Sequence, residues 1–517
     1  MNRRWILFAS VLVVLLAGCP TARTPRAGAP VPTAASGVQI AGNGFTIIAT
    51  NDLHGQLTSE VYSFSRGRRV GGAACLKAYI DGFRREGPAL LVDDGDFMQG
   101  APESGLFEGK PVVEYMNAAG YQAAAVGNHE FDWGIDVLAQ RASEAKFPLL
   151  CANLLDARTG QPFAFTQPST IVEVGGAKVG LIGVITETTP GIVSAGIRER
   201  IRVTSAAEAA IAQSRALRAQ GAKVIVLLAH LGGTQAHGHG GEAGEISGEV
   251  ARLAAGLGGA VDIIVSGHTH TKLNGRVNGI TITQAYSRGT ALARIGVPVD
   301  ASGTPGQPWA EIITTYADQV TPDAAVQALL KPYLDEVDRK LSATVGEAAE
   351  NITTKGDDQS PMGSLVADAI REAAGAQVAV TNAGGVRSGI MAGKVTLRTI
   401  FDIMPFDNLV RRGRASGAVV VDILAHSADQ RTPLQVSGVV VYGRNAKLRA
   451  QLTSGEEIRP DGRYLIAAND FIWDGAEGFD MFPPADAEMP ATLVRDALAQ
   501  YATRHSPLRS PDTDRWR

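Results

Sequence analysis

Five short stretches of this chain carry side chains that suit a hard or borderline divalent cation. Asp52 and His54 stand two apart in Asn-Asp-Leu-His-Gly, which begins at Asn51. Asp96 ends Leu-Val-Asp-Asp-Gly-Asp, where Gly95 lets the backbone turn. Gly127 opens Gly-Asn-His-Glu-Phe-Asp, which supplies Asn128, His129 and Asp132. His230 follows an apolar run, and Ser-Gly-His-Thr-His from Ser266 sets His268 and His270 two apart. A lone histidine after an apolar run is more often a satisfied polar residue than a ligand. Here five of the nine histidines fall in such stretches, each just beyond an apolar run. A cation held there would polarise an ester and acidify water, so the chemistry in view is metal-assisted hydrolysis.

Elements that could position these side chains are legible around them. Apolar runs at 45–48, 89–92, 123–126, 149–152, 179–185, 224–228 and 263–265 read as buried strands. Helical spacing recurs between them at 76–85 and 206–220. This alternation predicts a layered α/β domain over 44–318 with its polar motifs on loops after the strands. Residues two apart in extended backbone point the same way, so each Asp-x-His or His-x-His pair could reach one ion. A linking helix is expected within 319–344, spaced over 324–341. Beyond it, helices at 363–374 and 417–425 and strands at 378–381, 438–441 and 464–468 predict a smaller α/β domain over 345–500. The polar stretch 501–517 reads as a frayed tail.

Composition fits a globular body, with 45% hydrophobic and 19% charged residues. A formal net charge of -4 without a basic run argues against a nucleic-acid polymer as partner. A small anion would then be met by a few arginines or by metal ions. The start of the chain reads as an export signal over 1–18, with Arg3 and Arg4 ahead of an apolar run too short to span a bilayer comfortably. It ends in Leu-Ala-Gly before Cys19, which resembles the lipobox of bacterial lipoproteins. That predicts lipidation at Cys19, a Pro/Ala/Thr tether over 19–43, and a membrane-anchored protein facing the periplasm or cell exterior. Cys75 and Cys151 read as buried free thiols, and His237 and His239, in a Gly-rich loop, as surface residues.

The ordered series Asp-x-His, Gly-Asp, Gly-Asn-His-Glu, His, Gly-His-x-His resembles the calcineurin-like metallophosphoesterases. With the C-terminal half, the chain resembles the bacterial 5'-nucleotidase and UDP-sugar hydrolase family. The resemblance implies a four-layer sandwich of two sheets flanked by helices, plus a smaller C-terminal α/β substrate-binding domain. It implies one metal on Asp52, His54, Asp96 and His270, and another on Asp96, Asn128, His230 and His268, with Asp96 shared. The metals would be zinc, manganese or similar. Two ions about 3.5–4 Å apart need such a shared anionic ligand, and a hydroxide bridging them would attack phosphorus. His129, oriented by Asp132, would stabilise the transition state or protonate the leaving oxygen.

In the C-terminal half, Asn382 and Arg387 belong to a loop resembling the family's Asn-x-Gly-Gly-x-Arg, which would grip a phosphate. Phe406 and Asn408 match its Pro-Phe-x-Asn segment, and Phe471 its second aromatic loop. The two rings would sandwich a nucleobase. Glu477 stands where the family usually has the Asp that holds ribose hydroxyls, and Arg387 is the one clear phosphate arginine of that domain. The leading expectation is hydrolysis of nucleotide phosphate esters. The alternatives are a cyclic-nucleotide phosphodiesterase, a UDP-sugar hydrolase, a sulfur-oxidation thiosulfohydrolase, and a non-enzymatic binding lipoprotein.

Overall fold

A computed structural model of the chain describes residues 44–237, 243–302, 304–443, 448–487 and 489–517. The export signal, Cys19, the whole tether and His239 lie outside them.

Two six-stranded sheets form the centre of the N-terminal half. In the first the order is Trp309–Thr314, Ala291–Val297, Phe45–Thr50, Ala89–Asp93, Ala123–Ala125, Leu149–Leu150. In the second it is Lys272–Val277, Ile280–Ala285, Ile263–Ser266, Val224–His230, Ala177–Ile185, Ser169–Val174. The period-two alternation of strand side chains explains how one strand serves two cores. Phe45, Ile47 and Ala49 face the second sheet, against Leu181, Val226 and Val265, while Ile48 faces the helices outside. Each fully buried Ile or Leu here contributes about 1.5–3 kcal/mol. Ala73–Glu86, Lys110–Ala119, Ile135–Glu144 and Ala324–Leu341 cover the first sheet, and Ala206–Ala219 with Glu249–Gly256 cover the second. The result is the expected four-layer sandwich.

The C-terminal half is built on a four-stranded sheet ordered Val410–Ser416, Arg463–Asn469, Val378–Thr381, Gln435–Ser437. Pro361–Ala374 and Val494–Arg504 pack on one face, and Gly417–Ala428 on the other. Pro361–Ala374 begins where Ser360 Oγ accepts the Gly363 N–H at 3.0 Å, with Pro at the first helical position.

Three local readings change. The Gly-rich segment after Gly232 is not a loose loop: Gly233–His237 pairs with Ala243–Gly248. This ribbon is pinned to the second sheet by Gln235, whose amide exchanges bonds of 2.8 and 3.1 Å with the Asn274 backbone. The end of the chain is docked rather than frayed. Arg515 makes a two-pronged ion pair with Asp368, and Trp516 Nε1 donates to Leu434 O at 3.2 Å. A planar guanidinium fork and a half-buried indole outweigh the ordering cost of a short polar segment. Helix Val494–Arg504 also runs through position 500 without a break. Cys75 and Cys151 are free and buried. Among the described residues, no helix is long and apolar enough to cross a membrane.

Candidate functional site

The C-terminal ends of parallel strands from both sheets meet at one edge of the sandwich. Phe45–Thr50, Ala89–Asp93 and Ala123–Ala125 deliver Asp52 and His54, Asp96, and Asn128 respectively. Val224–His230 and Ile263–Ser266 deliver His230 and the pair His268 and His270. The pairs do not converge through extended backbone, as their spacing suggested. Asp52, His54, Asp96, His268 and His270 all have φ between 47° and 71°. Non-glycine residues seldom occupy that region, and five together mark a site where the fold holds strain for function. Tight packing enforces the turns: a Cβ on Gly127 would lie 2.2 Å from Asp96 Oδ1, and one on Gly267 would lie 2.8 Å from Asp52 Oδ2.

Two sets of ligand atoms result, Asp52/His54/His270 and Asp96/His230/His268. His54 Nε2 lies 2.8 Å from His270 Nε2, and His270 Nε2 lies 3.4 Å from Asp52 Oδ1. His230 Nε2 lies 3.0 Å from Asp96 Oδ2. His54 Nδ1 is 2.8 Å from Gln99 O and His230 Nδ1 is 2.9 Å from Asp94 O. A carbonyl accepts only, so each Nδ1 carries the proton and each Nε2 is free to ligate. Burial, reinforced by His270 and Arg387, holds the His54 pKa well below its ordinary value. Burial, with His230 beside it, pushes His268 down to about 4. Both are therefore neutral imidazoles, the form that binds metal.

The donors fit divalent cations on a further observation. Asn128 Oδ1 is buried without a hydrogen-bond partner, a state that a bound cation relieves. Imidazole with carboxylate and amide oxygen suits zinc, manganese and similar ions. The site accommodates two of them.

His129 stands beside this centre on the short helix Asn128–Phe131. Its Nδ1 is 2.8 Å from Asp132 Oδ2, and its N–H donates to Asp96 Oδ1 at 2.8 Å. Burial opposes charge on the imidazole, but Asp132 and Asp96 outweigh it and raise the pKa. Several supports were not evident in the sequence. Glu130 accepts the N–H groups of Asp96, Phe97, Met98 and Gly127 at 2.7–3.2 Å and so ties two ligand loops together. Its place at the third position of a short helix, as in a capping box, was the available signal. Asp94 is fully buried with neither carboxylate oxygen bonded, and nothing in its local sequence announced that.

The substrate-loop residues gather at one edge of the C-terminal sheet, facing the metal loops. Asn382 Nδ2 donates to Glu477 Oε1 at 3.2 Å, and Asn469 Nδ2 donates to Asn382 Oδ1 at 2.9 Å. Asn408 Nδ2 donates to Asp470 Oδ1 at 3.0 Å. Arg387 Nη2 comes within 3.4 Å of His54 Nε2, across the domain boundary. Arg288 adds a second arginine at this seam, donating to the Arg387 carbonyl at 3.4 Å. A cavity of about 400 Å³ lies between the domains, lined by Asn128, His129 and His268 on one side and Arg387, Phe406 and Phe471 on the other. That is within the size range of small-molecule sites.

Residues 45–272 match the family model for the calcineurin-like phosphoesterase, and residues 342–484 match that for the 5'-nucleotidase C-terminal domain. The chain is 31% identical over 456 residues to Endonuclease YhcR of Bacillus subtilis, covering 82% of this chain. It spans only 37% of that longer protein. It is 27% identical over 518 residues to a 5'-nucleotidase of Vibrio parahaemolyticus, with 90% of each chain covered. Among solved structures, the 5'-nucleotidase precursor from Thermus thermophilus superposes with a TM-score of 0.80 at 24% identity, covering 92% of this chain and 99% of that one. At that identity the likeness speaks for the fold.

Proposed function

The chain belongs to the 5'-nucleotidase family of calcineurin-like phosphoesterases, and from that premise we propose that it is a dinuclear-metal enzyme hydrolysing the phosphate ester of nucleoside 5'-phosphates. The observation that carries this reading is the single cavity bounded by metal-site residues of one domain and by Arg387, Phe406 and Phe471 of the other. Its dimensions and its mix of aromatic, cationic and imidazole groups suit a molecule with a flat apolar end and a dianionic end.

Asp96 is the carboxylate shared by the two metal sets, and Asn128 completes the second through the amide oxygen that lacks a hydrogen-bond partner. When bound, two divalent cations lower the pKa of water and offset charge on phosphoryl oxygens. Arg387 orients the phosphate with its guanidinium fork. His129, held by Asp132, gives its Nε2 proton to the departing ester oxygen. Phe471 and Phe406 hold the base, Glu477, which accepts from Asn382, meets the ribose, Asn382 joins Arg387 at the phosphate, and Asn408 keeps Asp470 in place. The cavity walls exclude bulk water from the ester, which strengthens each of these contacts.

Purified protein loaded in turn with zinc, manganese or another divalent ion should release inorganic phosphate from nucleoside monophosphates. Cyclic nucleotides, UDP-sugars and a thiosulfonate complete the panel. Turnover of the thiosulfonate with none of any nucleotide would overturn the proposal. Export and acylation at Cys19 form part of the same reading and rest on the leader sequence. Cys19→Ala should leave the protein unprocessed or release it from membranes, whereas membrane association equal to wild type, with an intact signal on neither form, would refute the anchor.

A further inference from the structure

Two rings from different domains meet at the centre of the cleft. Phe406 stacks on the imidazole of His129, with centroids 5.5 Å apart and planes inclined by 25°. The Asp132 bond restrains the imidazole from one edge, through Nδ1 at 2.8 Å. His129 also meets His54 edge to face, at 5.3 Å and 68°. A flat face laid against the ring removes the remaining freedom.

Phe406 is itself well placed to do this. Gln99 Nε2 donates to Pro405 O at 3.3 Å, and Arg495 Nη1 donates to Phe406 O at 3.4 Å. Gln99 is also the residue whose carbonyl fixes His54. One buried residue of the metal domain therefore holds both a metal ligand and the segment that brings Phe406 to His129.

We infer that Phe406 is a positioning residue for His129, a ring supplied by the C-terminal domain that holds the imidazole plane for proton donation. This rests on the acid role proposed for His129. A nucleobase stacked on Phe406 would then be felt at the proton donor. A substrate without a base depends on Phe406 as well, which a simple base clamp does not require.

The test uses the metal-loaded full chain and phenyl phosphate, which has no nucleobase and whose leaving oxygen needs a proton. Phe406→Ala, Phe406→Leu and Phe406→Tyr are compared with wild type, each also combined with His129→Ala, and bound metal is measured for every variant. Phe406→Ala should lower kcat by about 10-fold with KM moving by no more than about twofold. Tyr, which keeps the flat face, should restore kcat, and Leu should not. In the His129→Ala background the further loss from Phe406→Ala should vanish, since the two act as one unit. An unchanged kcat on phenyl phosphate in Phe406→Ala would overturn the inference. So would an additive loss in the double variant, or loss of bound metal in Phe406→Ala. A wild type that cleaves phenyl phosphate but no nucleotide would defeat the nucleotide reading and leave this test intact.

Discussion

The metal loops and the substrate loops face each other across one cavity, yet they are built to different standards. Asp52, His54, Asp96 and His230 are almost wholly buried, each held by backbone or side-chain bonds, and several sit in backbone conformations that cost energy. Phe406, Phe471 and Arg387 are half-buried, and the side-chain bonds of Arg387 are long, at 3.3 and 3.4 Å. One half is organised before any substrate arrives. The other is completed by contact with its opposite domain, through Arg387 near His54 and Phe406 on His129. Chemistry that tolerates little displacement is placed on packed strand ends, whereas recognition is placed on loops that a ligand can finish ordering.

The most severe break in that contrast is Asp96→Ala. It removes the carboxylate that the proposed assignment shares between both metals, so bound metal and phosphatase activity should fall to background together, as read by elemental analysis and phosphate release. Full retention of two metals would show that the shared-ligand assignment is wrong. His129→Ala comes next. It should keep both metals and lower kcat by about 10²–10⁴, the range for a lost acid–base group. If it strips metal as Asp96→Ala does, the separation of binding from proton transfer within the prearranged half collapses.

The same contrast governs what the sequence reveals. Ligands such as Asp52 and His268 are legible because each follows an apolar strand, and strand periodicity survives in sequence. The geometry of their convergence is not, because left-handed turns at Asp and His leave no compositional trace beyond a neighbouring glycine. Two strands of the first sheet and three of the second were hidden, the edge strands among them for another reason. Strands such as Lys272–Val277 and Trp309–Thr314 are partly exposed edge strands with mixed polarity, so they lack the continuous apolar run that marked the central ones. Glu130 and Gln99 act through backbone groups of distant loops, contacts that only tertiary structure brings together. The docked tail, held by Arg515 and Trp516, belongs to the same class.

On the recognition side the expected effects are smaller. Phe471→Ala should weaken nucleotide binding by about 1–3 kcal/mol, or roughly 5- to 150-fold in KM where binding equilibrates, the worth of one stacked base. Steady-state kinetics on a nucleoside monophosphate reads this directly. A fall in kcat at constant KM would instead mean that Phe471 shapes the packed half of the site, and the contrast between the two regions would blur.

The mildest test is Glu477→Gln, which changes charge and almost nothing else. Glu477 lies at φ 55°, where a β-branched replacement would strain the backbone as well. Gln keeps the length and the oxygen that accepts from Asn382 Nδ2. Burial raises the carboxyl pKa, opposed by that bond and by His426. A hydrogen bond from a ribose hydroxyl to a carboxylate exceeds one to an amide by about 1 kcal/mol, or roughly fivefold in KM. The variant should therefore lose about fivefold on a ribonucleotide and less on its 2'-deoxy counterpart, with kcat nearly constant on both. Equal losses on the two sugars would place Glu477 away from the 2'-hydroxyl. A loss expressed in kcat would mean that even this distant carboxylate is coupled to the metal edge, so that the loosely held half of the site takes part in the chemistry.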